Sequence, residues 1–288
     1  MKPLLFILTT VILLCGLTGC RQEQKAQTPA NTFRTQTATQ PAAEVSLQTE
    51  VVNLLKQKVA RGVSEILLTR KAYTTSYNKQ RRTPNWVAWT LTKEHTRGNL
   101  LRDNERFEED TDVAEPRATW QDYYNSRYDR GHMCPAGDNK WNEEAMSQTF
   151  KLTNICPQNH GLNKNGWNDL EIQCRDWARE YNAVDIVCGP IYRTATYSDG
   201  KMRPSNDQKF IGKNKVWVPD AFFKVVLCRG KQPKAIGFIY ENRGGQQLMR
   251  ECMCSVDEVE RITGINFYHL LADDIEDRIE AEANLRKW

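Results

Sequence analysis

The sequence predicts an α+β domain. Runs of β-branched and aromatic residues recur along the chain, helical apolar periods fall between them at irregular intervals, and no internal repeat orders the two kinds. The 288 residues are 40% hydrophobic and 26% charged, with 16 Gly and 11 Pro. That composition excludes collagen-like, coiled-coil and wholly disordered chains. Val51, Val52, Leu54, Leu55 and Val59 fall near helical spacing and predict a short amphipathic helix. Trp86–Thr92, Asp185–Gly189, Val216–Val218 with Ala221–Cys228, and Ala235–Tyr240 read as strands. Asn163–Tyr181, carrying Trp167, Leu170 and Trp177, reads as one helix. Ser255 and Glu258 form a capping-box signal that opens another, and Asp273–Arg286 reads as a charged terminal helix.

The N-terminus reads as an address. Lys2 precedes an apolar run, Leu4 to Leu14, too short to span a bilayer and suited to a signal peptide. Leu17-Thr18-Gly19-Cys20 then resembles a lipobox, in which the chain is cut before a cysteine that is acylated. An ordinary signal peptide with a cysteine at that place is the alternative. Residues 1–19 are therefore expected to be a lipoprotein signal peptide and Cys20 the lipidated residue. This anchors the protein in the cell envelope, on its periplasmic side or at the cell surface. Residues 20–49, rich in Gln, Thr, Ala and Pro, read as a flexible tether, and residues 50–288 as the folded domain.

Of the nine cysteines, Cys15 lies in the signal and Cys20 carries lipid. Several of the remaining seven (Cys134, Cys156, Cys174, Cys188, Cys228, Cys252 and Cys254) are expected to pair outside the cytosol, with at least one left over. The spacing of Cys252 and Cys254 puts both thiols on one side of a strand. No C-x-x-C or H-x₃₋₅-H spacing supports a zinc site.

Forty Lys+Arg against 36 Asp+Glu leave a net charge of +4, too small a bias to establish a nucleic-acid partner. Nine basic residues and three acidic ones between Arg70 and Arg106 nonetheless mark a candidate strand-tracking surface, or a solvated face.

The densest polar cluster is Tyr128-Asp129-Arg130-Gly131-His132. A histidine outside an apolar period suits proton transfer near neutral pH, and an arginine fork fits a phosphate. Asp129 is placed to orient the histidine or to brace the arginine. Taken alone, the cluster fits a salt bridge at a strand end equally well. A second constellation runs from Asn154 through Pro157-Gln158 and Leu162-Asn163 to Trp167 and Leu170-Glu171. Amide and carboxylate oxygens are the donors a hard cation takes. On one regular helix Asn163 and Glu171 would stand roughly 12 Å apart along the axis, so Asn163 would ligate directly and Glu171 through a water.

Together these motifs resemble the DNA/RNA non-specific endonucleases, the ββα-metal family that includes secreted bacterial nucleases and mitochondrial endonuclease G. The resemblance runs from about Tyr77 through DRGH, Trp141 and Asn-x-x-Pro-Gln to Leu-Asn-x-x-x-Trp-x-x-Leu-Glu. It implies a ββα-metal core, with a mixed or antiparallel sheet flanked by helices. It implies His132 as general base, Arg130 on the phosphate, Asn154 as a further active-site residue, and Asn163 and Glu171 at the metal. The cofactor implied is Mg²⁺, for which Mn²⁺ can substitute. An upstream family arginine precedes an aromatic-x-x-Asp pattern, here Phe107-Glu-Glu-Asp110. The position two before the aromatic is Glu105, so Arg106 takes the role, with Arg102 the other candidate. The activity implied is weakly sequence-selective hydrolysis of DNA and RNA that leaves 5′ phosphates. Family habit adds a homodimer. The competing readings are a nucleic-acid-binding lipoprotein without activity and a phosphodiesterase for another ester.

Overall fold

The computed structural model describes residues 55–196, 202–204, 207–230 and 232–288, all within one compact unit, Ala42–Trp288. The signal peptide, Cys20 and the tether lie outside the described residues. Among the described residues there are thirteen strands: β1 (Ile66–Thr69), β2 (Thr74–Asn78), β3 (Thr83–Thr92), β4 (Asp129–His132), β5 (Ile155–Gln158), β6 (Ala183–Ile191), β7 (Thr194–Thr196), β8 (Met202–Pro204), β9 (Phe210–Ile211), β10 (Val216–Trp217), β11 (Ala221–Cys228), β12 (Lys234–Glu241) and β13 (Met253–Cys254). Seven α-helices accompany them there, besides short 3-10 turns: α1 (Trp120–Tyr123), α2 (Glu143–Gln148), α3 (His160–Lys164), α4 (Gly166–Tyr181), α5 (Met249–Cys252), α6 (Val256–Thr263) and α7 (Asp273–Glu280).

Alternation along the strands explains the layers. In β3, Val87, Trp89 and Leu91 point to one face and Trp86 and Ala88 to the other; in β11, Phe222 and Val226 oppose Phe223, Val225 and Leu227. Both faces are apolar, so both must be covered. The result is a seven-stranded antiparallel sheet in the order β1–β2–β3–β6–β11–β12–β13. Helix α4 covers the first face with Trp167, Leu170, Cys174 and Trp177; α6 and α7 cover the second with Val256, Val259 and Ile279. Each such large side chain contributes roughly 1.5–3 kcal/mol on burial. Strands β4 and β5 form a separate antiparallel pair, with Gly131 opposite Cys156 and His132 opposite Ile155.

The α+β class and the antiparallel sheet agree with the sequence reading, while several elements differ. Of the helix expected over Val51–Val59, residues 51–54 lie outside the described residues, and residues 55–59 are not helical: Lys58 bridges Asn266, and Leu55 and Val59 lie against the second face. The helix expected over Asn163–Tyr181 is two helices, broken at Asn165 (φ −113°, ψ −100°). A Cβ on the next residue, Gly166, would lie 2.9 Å from the Tyr240 ring, so only glycine lets α4 start this close to β12. The terminal helix stops at Glu280, where Asp277, Glu280 and Glu282 crowd the negative end of its dipole. Cys252 closes α5 while Cys254 lies on β13, so the two do not share a strand. The pairing expected of the cysteines is absent: the seven among the described residues are all free thiols, with Cys188 donating to the Met133 carbonyl and Cys134 accepting from Asn139. Among the described residues no helix is long and apolar enough to cross a membrane.

Candidate active site

The β4–β5 pair carries the DRGH residues. A Cβ at Gly131 would come within 2.2 Å of Gln158 Oε1, so glycine is required for the close approach of the two strands. The end of β4 is clasped by Asn154, which is fully buried. Its Oδ1 accepts from the Cys134 amide (2.9 Å), and its Nδ2 donates to the carbonyls of Cys134 (2.9 Å) and Thr149 (2.8 Å). Both donors of Asn154 are spent on backbone, and it is not among the residues lining the cleft. The sequence reading set Asn154 among the active-site residues; the structure places it behind His132, where it holds backbone rather than lining the cleft. Asn154→Ala would orphan three buried backbone groups, and is expected to cost about 2–4 kcal/mol. Urea denaturation at unchanged m-value is the check.

The clasp leaves His132 half-buried, its ring edge-on to Phe150 (4.9 Å between centroids) and tilted against Phe107 (5.3 Å). Its Nε2 is buried without a hydrogen-bond partner. Burial, reinforced by the charge of Arg102, pushes the imidazole down to about 3, so it is neutral throughout the physiological range. Arg130 lies 4.8 Å over the Phe107 ring and Arg102 5.5 Å over the Phe150 ring, so the two aromatics that hold the histidine also seat the two cations. Arg106 instead donates to the carbonyls of Asp103 (3.0 Å) and Glu105 (2.8 Å). Arg102, not Arg106, reaches the cleft.

Asn163 enters from α3. Its Nδ2 donates to Asp129 Oδ2 (2.9 Å), and His160 Nδ1 lies 3.0 Å from the same oxygen. Asp129 therefore braces Asn163, rather than the histidine or the arginine beside it, and turns the amide oxygen of Asn163 free. Glu171 enters from α4. The break at Asn165 removes the single-helix geometry that would have separated Asn163 from Glu171, and both line the same cleft. Burial pushes the Glu171 carboxyl up to about 7, against the pull of Lys224.

The cleft measures about 480 Å³ and is lined by five cations, Arg102, Arg130, Lys140, Lys164 and Arg175, against one carboxylate, Glu171. Of the nine basic residues between Arg70 and Arg106, only Arg102 lines it. Arg70 is paired with Asp110 and Asp112, and Arg81 lies over Tyr192 and Trp217, so that stretch is not one tracking surface. A larger hollow, about 800 Å³, is lined by Arg229, Lys234, Arg278 and Lys287, but three of these are engaged: Arg229 with Asp185, Lys234 with the Lys287 carbonyl, and Lys287 with Glu282.

Four basic residues escaped the sequence reading: Lys140 and Lys164 line the cleft, and Arg175 and Lys224 act on Glu171. Arg175 follows Glu171 by four positions on α4, a spacing that signals a shared face, and Asp138 holds it at 2.8 Å while also accepting from Trp89 Nε1. Lys224 is fully buried in an otherwise apolar strand, with no hydrogen-bond acceptor for its ammonium, 4.3 Å from the Trp167 ring centroid. Nothing in the run Ala221–Cys228 marks that lysine as other than a strand-edge polar residue.

The pattern of the DNA/RNA non-specific endonuclease family matches residues 51–274. The chain is 37% identical over 206 residues to the mitochondrial nuclease EXOG of Xenopus laevis, covering 69% of this chain and 57% of that protein. It is 35% identical over 211 residues to the mitochondrial endonuclease G of Bos taurus, covering 72% and 70%. The chain thus spans less than two thirds of the EXOG relative's length. A crystal structure of the EndoG/EndoGI complex superposes with a TM-score of 0.68 at 27% identity, covering 77% of this chain and 93% of that one.

Proposed function

The chain belongs to the DNA/RNA non-specific endonuclease family, and from that premise we propose that its cleft hydrolyses phosphodiester bonds of DNA and RNA with little regard to sequence, leaving 5′ phosphates. The observation that carries this reading is a neutral histidine with a bare Nε2 inside a ring of five cations. Neutral imidazole accepts a proton, and the cations hold the anion being attacked.

His132 takes a proton from the attacking water at Nε2. The phosphodiester charge offsets Arg102 and Arg130, which lifts the histidine's basicity only when substrate is present. Arg102 and Arg130 hold the phosphate oxygens where negative charge grows. The donor set fits a hard divalent cation: Asn163 presents an amide oxygen because Asp129 holds its nitrogen, and Glu171 adds a carboxylate. When bound, such an ion, Mg²⁺ or Mn²⁺, neutralises charge on the phosphoryl group and the departing 3′ oxygen. Arg175 and the buried Lys224 offset the charge of Glu171 from the protein side. These groups address phosphate, and phosphate carries no base identity, so cutting follows the backbone.

Nicking of supercoiled plasmid with Mg²⁺, and its loss in EDTA, tests the reading. Binding without nicking would support a capture protein, and turnover of a small phosphodiester without nicking would support another substrate. The same proposal places the protein on a membrane through acylated Cys20, in the cell envelope. Cys20→Ser is expected to move it from the detergent phase to the aqueous phase, and retention in detergent would refute that anchor. A homodimer belongs to the proposal as well; its check is the mass of the purified protein in solution.

A further inference from the structure

We propose that Asp257, Glu260 and Glu280 form a second divalent-cation site, suited to Ca²⁺, that ties α6 to α7 on the sheet face opposite the catalytic cleft. Asp257 and Glu260 stand three residues apart on α6 and so share a side of that helix. Glu280 is the last residue of α7. One carboxylate oxygen from each lies within 4.8 Å of the other two.

Clustered surface acids are common, but this cluster has a buried member. Glu280 is 3% exposed, and its Oε1 is enclosed without any hydrogen-bond partner. Burial, and after it the neighbouring carboxylates Glu260, Glu276, Asp257 and Asp277, push its carboxyl up to about 9. An enclosed, unpaired carboxylate oxygen is costly, and a chain that builds one among four other acids leaves an obvious place for a cation. A proton would neutralise one charge. A divalent ion neutralises two and takes an oxygen from each of three side chains.

The donors are hard oxygens in an irregular set. Ca²⁺ takes six to eight such oxygens in loose geometry, whereas Mg²⁺ demands a near-ideal octahedron. Asp257 is exposed, which gives the ion an entry and leaves positions for water. Glu260 is held in place because its Oε1 accepts from the Phe267 amide (2.7 Å). The site is separate from catalysis: Val256, Val259 and Ile279 beneath it belong to the second face, whereas Trp167 and Leu170 of the catalytic helix belong to the first.

The test is thermal unfolding in EDTA and in Ca²⁺, for the wild type, Asn163→Ala and Glu280→Gln, with Ca²⁺ titration calorimetry beside it. Ca²⁺ at a hundred times its Kd is expected to raise the wild-type Tm by about 5–10 °C. Asn163→Ala should show the same rise, and Glu280→Gln none, while Mg²⁺-dependent nicking by Glu280→Gln stays at the wild-type rate. If Glu280→Gln fails to fold, Asp257→Asn serves at an exposed position and should weaken Ca²⁺ binding by about tenfold. No rise in the wild type, or a rise kept in the cluster variants and lost in Asn163→Ala, overturns the site and leaves the cleft reading untouched.

Discussion

Replacing His132 by alanine is expected to lower turnover by about 10² to 10⁴, the usual share of a general base. The fold should survive, because the clasp behind the histidine is made by backbone and Asn154 rather than by the imidazole. Plasmid nicking under single-turnover conditions reads the loss, and a variant cutting at the wild-type rate would remove His132 from the mechanism. The same substitution has a second, opposite signature. The folded imidazole sits near 3 while a free one sits near 6.5, so the folded state binds fewer protons as pH falls. Stability held by the neutral histidine is complete above the unfolded value and is lost progressively as pH drops through the folded one. His132→Ala is therefore expected to be less acid-labile than the wild type between those limits, as followed by circular dichroism. A site that loses activity while the protein gains acid resistance is one where burial serves chemistry at the expense of stability.

The second large effect distinguishes two neighbouring arginines. Arg102→Ala is expected to reduce kcat by about 10² to 10³, the scale of one lost transition-state donor, while Arg106→Ala changes it less than about threefold. The reason is placement: Arg102 lines the cleft against Phe150, whereas Arg106 spends its guanidinium on the carbonyls of Asp103 and Glu105. Removing Arg102 also removes a cation that depresses His132, so the acid limb of the residual activity should move to higher pH. The reverse ranking of the two variants would restore the assignment made from spacing alone.

The family and the fold class were legible in the sequence because their signals are local. DRGH is contiguous, Leu-Asn-x-x-x-Trp-x-x-Leu-Glu spans one turn and one helix start, and the strands β3, β6, β11 and β12 are apolar runs that advertise burial on both faces. Strand β2 carried no such signal. Thr75, Ser76 and Asn78 are buried and polar, satisfied partly by Glu65 and Asn85 from other segments, so their strand character depends on partners that periodicity does not reveal.

By itself, the sequence determined the family and singled out Arg106, Asp129, Arg130, His132, Asn154, Asn163 and Glu171 as candidates, since the motifs that carry the resemblance contain or flank them. Only the tertiary structure decided what each one touches. It turned Asn154 into a buttress, gave Asp129 to Asn163, brought Arg102 rather than Arg106 to the histidine, and set Arg175 and Lys224 against Glu171. Each of those outcomes joins a side chain to a group on another segment or around a backbone break such as Asn165. The direction a polar side chain takes there is set by which buried backbone groups need a partner and which cations can be seated on a ring. Those demands exist only once the sheet and α4 have closed around the site.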